Sequence, residues 1–254
     1  MIMTVLASAG AAKIRFAAAI VILLAVPGCA TMSTPVLRHE TGESLGTGRF
    51  RASARYETTR TFAAVSDEIV SAGVAEQSTG TFRGTLLGVQ VAAGIHANAD
   101  VQLAGFLTPT GGGWRVGTKY TVKRQGPLSI AAMMGYGALS SAGSQSYLTQ
   151  AQPVEIQQTL SSTTLDFSSP VSYRFSPTLA AYSGLVLIRT AVSGSFGSMV
   201  VNTSQTDFGA NLGFRLNIGR YEGDIEAAMM RVYDPFTDGY RLIPFLGLGA
   251  SMVF

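Results

Sequence analysis

Residues 207–218, DFGANLGFRLNI, alternate between two kinds of side chain along their whole length. The apolar set is Phe208, Ala210, Leu212, Phe214, Leu216 and Ile218. The polar or small set is Asp207, Gly209, Asn211, Gly213, Arg215 and Asn217. Successive side chains of a β-strand point to opposite faces of the sheet. The stretch therefore predicts a strand with one face in an apolar environment and the other face in a polar one.

Three further segments, residues 49–56, 114–123 and 165–174, repeat this pattern. Their apolar sets are Phe50, Ala52, Ala54 and Tyr56; Trp114, Val116, Thr118, Tyr120 and Val122; and Leu165, Phe167, Val171 and Tyr173. Weaker copies run over residues 86–96, 100–107, 128–138, 179–189, 222–233 and 242–254. The sequence thus predicts about ten antiparallel strands, within a range of eight to twelve.

The composition indicates that lipid contacts one face of these strands. Hydrophobic residues make up 47% of the 254 residues and charged residues 13%, about half the usual charged share of a soluble domain. After the N-terminal segment no run approaches the roughly 20 apolar residues of a membrane-spanning helix. Strands cross lipid only when they close on themselves, because lipid offers no hydrogen bonds to a free edge. We therefore expect an all-β, transmembrane antiparallel β-barrel over residues 48–254.

A soluble β-sandwich would show a similar alternation. Two features favour the barrel: the chain stops inside its last strand, and aromatic residues stand near the segment ends, where a membrane barrel has its interfacial girdle. Those aromatic residues are Tyr56, Trp114, Tyr173, Tyr221 and Tyr233.

The connections between the segments alternate in length, as in barrels with short periplasmic turns and long external loops. The short connections are residues 97–99, 125–127, 175–178 and 219–220, and the longer ones include 61–81, 140–152 and 190–206. The two last-named loops are rich in Ser, Gly, Gln, Thr and Asn, and residues 63–74 could form a short capping helix. This alternation predicts that Cys29 and Phe254 lie together in the periplasm.

The N-terminus has the order of an export signal: Lys13 and Arg15, then an apolar run over residues 16–26. The residues that follow, Val26-Pro27-Gly28-Cys29, resemble the lipobox of bacterial lipoproteins, although Pro27 departs from that pattern. The resemblance implies a signal peptide over residues 1–28, lipidation with palmitate at Cys29, the lipoprotein-sorting machinery as a partner, and the outer membrane of a Gram-negative cell as destination. The alternative is ordinary cleavage after Ala30, which leaves no cysteine.

The two ends of the mature chain differ in pattern. Residues 29–47 lack any periodicity, so they predict an extended periplasmic tether. At the other end, Leu242, Pro244, Leu246, Leu248, Ala250 and Met252 alternate up to Phe254, the final residue of the sequence. This aromatic end resembles the assembly signal of outer-membrane barrel proteins, and it implies the barrel-assembly machinery as a partner.

The sequence offers little catalytic chemistry. Its two histidines are His39 in the tether and His96 beside a short turn, and its one cysteine is the lipidation candidate. The barrel proteases and lipid A deacylases that this architecture resembles depend on a histidine near the outer rim, so we expect no enzyme, no cofactor and no metal. Nucleic acid is excluded as a partner, because all 15 acidic residues follow residue 28 and nearly balance the basic residues there.

Charged residues on the polar faces predict the content of the lumen. The candidates are Arg49, Arg51, Arg55, Arg115, Lys119, Lys123, Asp166, Arg174, Arg189, Arg215, Glu222, Asp224 and Glu226, with Glu57 beside them. They predict either a water-filled path biased toward anions or a lumen closed by ion pairs, and ten strands enclose little space, which favours ion pairs.

The expected function is a structural or surface-interaction role in the outer membrane, in contact with its lipids. A narrow porin-like channel for small polar solutes is the alternative. A partner bound by the loops is left open.

Overall fold

The computed structural model describes residues 30–64, 79–109, 111–148, 153–196, 199–234 and 239–254. The export signal, Cys29 and residues 65–74 of the predicted capping helix lie outside the described residues. This part of the chain holds eleven strands. They are β1 Ala30–Thr34, β2 Phe50–Ala64, β3 Thr79–His96, β4 Ala99–Thr108, β5 Gly111–Gln125, β6 Leu128–Leu148, β7 Pro153–Arg174, β8 Leu179–Phe196, β9 Met199–Ile218, β10 Tyr221–Asp234 and β11 Gly239–Val253.

Strands β2 to β11 form the predicted ten-stranded antiparallel barrel. Each pairs with its neighbours in the sequence, and β2 closes the circle by pairing with β11. At one rim Phe50 N donates to Phe254 O (3.2 Å) and Phe254 N donates to Phe50 O (2.8 Å). The aromatic end of the sequence thus closes the barrel through its backbone.

The outer wall is apolar, as the alternation predicts. The apolar sets of β2, β5, β7 and β9 are exposed on the outside, with Phe214 at 47% and Leu248 of β11 at 58%. On β11 this face runs from Leu242 to Phe254, which corresponds to about 30 Å at ~3.3 Å per residue and a tilt of about 40°. That height matches the hydrocarbon core of a bilayer, roughly 30 Å thick.

No helix among the described residues has the length and apolarity to cross a membrane.

The four short turns are confirmed, but two predicted long loops are wrong. Strand β6 continues to Leu148, and β8 and β9 continue to Phe196 and Met199, so most of residues 140–152 and 190–206 is strand. Where their side chains are described, these extensions carry polar residues on both faces, as at exposed Ser140 and buried Ser141, and apolar residues on both faces, as at buried Val192 and exposed Val200. The alternation that identifies a membrane strand therefore disappears while the strand continues.

The seam between β2 and β11 is short. Residues Arg51–Glu57 of β2 pair with residues Gly247–Val253 of β11. At the next position the Thr58 hydroxyl donates to Leu246 O and accepts from Leu246 N, in place of a backbone pair. Beyond that point β2 pairs with β1 instead, from Arg60 with Thr34 to Ala64 with Ala30.

The tether prediction fails for the residues between β1 and β2. From β1 at one rim the chain passes through the lumen to Phe50 at the other rim, and residues 35–42 are buried. Ala30 therefore lies at the rim opposite Phe254. Cys29, which the alternation predicts to lie with Phe254, is outside the described residues. The physical reason for the failed tether prediction is that this aperiodic segment fills the space that the barrel wall leaves open.

Candidate functional site

Residues 35–45, here called the plug, are bound to the barrel wall mainly by ion pairs and hydrogen bonds. Glu40, 1% exposed, pairs with Arg51 and with Lys119 (2.9 Å), and accepts a hydrogen bond from Gln90 Nε2 (3.0 Å). Lys119 also pairs with Asp100 (3.0 Å). One plug carboxylate thus joins β2, β3 and β5.

A second ion-pair group joins the plug to β5 and β7. Arg115 of β5 donates from Nε and Nη2 to both oxygens of Asp166 on β7, each at 2.8 Å. Arg38 of the plug brings its Nε to 3.2 Å from the same carboxylate. A Cβ at Gly135 would overlap the Arg115 guanidinium, so glycine provides the space in which this side chain lies flat.

Glu226 of β10 binds the backbone of the plug. Its two oxygens accept from Arg38 N (3.2 Å) and His39 N (2.6 Å), and also from Asn211 Nδ2 (2.8 Å) and Tyr182 OH (3.1 Å). The side chain is 0% exposed, and four donors satisfy its charge without water.

His39 occupies a constrained position at the centre of the lumen. Its φ of 51° is in the left-handed region that non-glycine residues rarely adopt. Its Nδ1 bonds Asp224, its Nε2 lies 3.7 Å from Glu57 Oε2, and its carbonyl accepts from Arg215 Nη2 (2.6 Å). The prediction that places His39 in an extended tether is therefore wrong, because the surrounding contacts hold His39 inside the barrel.

The plug also has an apolar contact. Val36 and Leu37 pack inside the lumen against side chains of β8, β10 and β11, and Leu37 is 0% exposed. The wall residues of this cluster are Val186, Ile188, Ala228, Met230, Val232 and Phe245. The inner wall is thus apolar where the plug is apolar and charged where the plug is charged.

The structure places most of the predicted luminal charges inside. Arg51, Arg55, Arg115, Lys119, Asp166, Arg215, Glu222, Asp224 and Glu226 face the lumen, together with Glu57. Two others, Arg49 and Arg174, lie at the short-turn mouth, where Arg174 pairs with Glu43 of the plug. At the centre, a cavity lined by Arg38, His39, Glu40 and Arg55 has a volume of about 10 Å³, at most enough for one water.

Two predicted luminal residues lie on the outer face. A bulge between Thr121 and Lys123 adds one residue to β5, so Lys123 pairs with outward Ile130 and is exposed. Arg189 is exposed and pairs with outward Leu165. Its prediction failed because both faces of β8 are apolar, so alternation could not distinguish them.

Sequence reasoning missed the plug itself. Arg38, His39 and Glu40 are three adjacent ionisable residues in a chain with few charges. That cluster is the one feature of the sequence that indicates the plug. Asp100 was recognised only as a strand residue.

His96 is exposed beside its short turn, at the predicted rim. Among the described residues no group of three or more His, Cys, Asp or Glu could hold a metal ion.

No family model and no curated protein matches this sequence. Solved structures do match it. The outer membrane protease OmpT from Escherichia coli is 10% identical, with a TM-score of 0.51, and the match covers 84% of this chain and 100% of that chain. This likeness supports the barrel fold and nothing beyond it.

Two further matches have TM-scores of 0.47 and identities of 9%. They are the translocator domain of the autotransporter NalP from Neisseria meningitidis, covering 98% of this chain and 96% of that one, and an outer membrane channel from Pseudomonas putida F1, covering 87% and 100%.

Proposed function

We propose that this chain is a self-plugged barrel of the bacterial outer membrane with a structural or surface-interaction role and without catalysis. The observation that carries the proposal is the burial of residues 36–41 in the lumen, where charged plug residues meet charged wall residues. A barrel built for steady solute passage would not fill its centre with its own chain.

The outer surface supports residence in a membrane. Every carboxylate whose side chain the structure describes faces the lumen or its mouth, while the outward face carries apolar and aromatic residues with a few cations. Cations at the edge of an apolar band suit anionic lipid headgroups.

The extended ends of β6 to β9 support the surface-interaction role. They project beyond the apolar band and present Ser, Thr, Gln and Asn to solvent, as at Ser161 and Ser193, whose hydroxyls lie 3.1 Å apart. Exposed polar surfaces on a rigid scaffold are where barrels carry variable binding functions.

A conductance measurement tests the closed lumen. In planar bilayers the purified chain is expected to give no steady current, because the central cavity is about 10 Å³. A variant in which residues 36–42 are replaced by a Gly-Ser segment of equal length is expected to conduct, because that flexible segment lacks the contacts that fill the lumen. Equal steady conductance of both proteins would overturn the proposal and favour the narrow porin-like channel.

We also propose that Cys29 is acylated and that Phe254 serves as the assembly signal. The lipobox-like residues Val26-Pro27-Gly28-Cys29 support this proposal, and they imply a lipid anchor on the periplasmic side. Metabolic labelling with a palmitate analogue is expected to mark the intact chain and not Cys29→Ser. Labelling of both, or of neither, would contradict acylation at this residue.

A further inference from the structure

The short-turn mouth of the barrel contains a polar pocket of about 220 Å³. Plug residues Thr41, Glu43 and Ser44 form one side of it. The wall provides Arg49, Arg51, Arg174, Arg215, Asn217 and Glu222. One water needs only about 10–15 Å³ of such space, so the pocket has room for a small organic ion.

The lining of this pocket has more cations than carboxylates. Four arginines face it and only two carboxylates, Glu43 and Glu222. Glu222 is shared between Arg51 Nη1 at 3.8 Å and Arg215 Nη1 at 3.6 Å, both longer than a hydrogen bond. Among the contacts of the described residues the exposed Arg49 guanidinium has no ion-pair partner. Arg51 also pairs with Glu40, Arg174 pairs with Glu43, and Arg215 lies near Asp224. The donors of Arg49 are therefore the ones left free to bind a ligand here.

We infer that this pocket binds a small, soluble dianion, with a phosphate or dicarboxylate group held by Arg49 and its neighbours. Arginine has a planar fork of donors that matches carboxylate and phosphate oxygens. Thr41, Ser44 and Asn217 add neutral hydrogen-bonding groups for the rest of the ligand. Because the pocket lies at the mouth of the barrel and not on the apolar outer wall, it takes a dissolved ion in preference to a bilayer lipid.

The plug and the wall both contribute to the pocket, so the ligand binds the plugged form of the barrel. A ligand that binds only this form stabilises it by RT ln(1 + c/Kd), where c is the ligand concentration, so the stabilisation increases with that concentration. We therefore expect the dianion to raise the melting temperature as well as to bind.

Isothermal titration calorimetry of the full chain in detergent tests the inference, with inorganic phosphate, succinate and uncharged glycerol as probes at constant ionic strength. We expect saturable binding of phosphate or succinate and none of glycerol. Arg49→Ala is expected to weaken binding about tenfold, which corresponds to ~1.4 kcal/mol.

Arg220→Ala is the matched control. Arg220 lies in the turn at the same rim, but its guanidinium lies over the Tyr221 ring, 5.5 Å from the centroid, and does not line the pocket. We expect Arg220→Ala to bind like the unchanged protein. Absence of saturable binding, equal binding of glycerol, or equal weakening by both substitutions would overturn the inference. None of these results bears on the conductance test, so the two proposals fail separately.

Discussion

Replacing Glu40 with alanine is expected to lower the free energy of unfolding of the purified barrel by about 3–5 kcal/mol. Arg51 and Lys119, 3% and 1% exposed, lose their shared carboxylate, and a buried charge without its partner is costly. Guanidinium unfolding in detergent, followed by circular dichroism, measures the change. If Glu40→Ala does not fold, Glu40→Gln keeps the shape and removes only the charge.

Glu43→Ala is the control for this experiment. Glu43 also pairs with an arginine from the plug, but its partner Arg174 has a side chain that is 41% exposed. Water solvates both groups after the substitution, so the expected loss is only about 0–1 kcal/mol. Equal losses for Glu40→Ala and Glu43→Ala would mean that the central ion pairs do not fasten the plug.

Replacing Leu37 with alanine is expected to cost about 2–5 kcal/mol, the usual range for a large apolar side chain removed from a packed core. Leu37 is 0% exposed within the apolar cluster of β8, β10 and β11. The same unfolding titration measures the loss. A tether outside the barrel would give almost no effect, so this residue separates the plug from that alternative.

Leu248→Ala provides the comparison. Leu248 is 58% exposed on the outer wall, where detergent or lipid fills the space that the smaller side chain leaves. We expect a smaller loss than for Leu37→Ala. A larger loss at Leu248 would contradict the packing of Leu37 inside the lumen.

The wall of the barrel was predictable because its two faces meet different solvents. On β9, Phe214 faces outward and Arg215 inward, and one period-two pattern fixes both. The same reasoning failed where the environments do not differ. Both faces of β8 are apolar near Arg189, and on β6 both the exposed Ser140 and the buried Ser141 are polar, so alternation there carries no information.

The plug was not predictable because its environment changes from residue to residue. Leu37 contacts an apolar cluster, Arg38 a carboxylate and His39 two carboxylates, all within one turn of irregular chain. No periodic pattern encodes such a path. The partners come from strands up to 188 residues away, so only the closed barrel brings them together.

Both ends of the plug are fastened to one strand: β1 pairs with the far half of β2, and residues 46–49 lead directly into its first residue. The plug is therefore joined to β2 at both ends, by strand pairing at one end and by the chain itself at the other. If the plug folds against β2 before β2 pairs with β11, the lumen is filled while the barrel is still open. No segment then has to be threaded through a closed barrel.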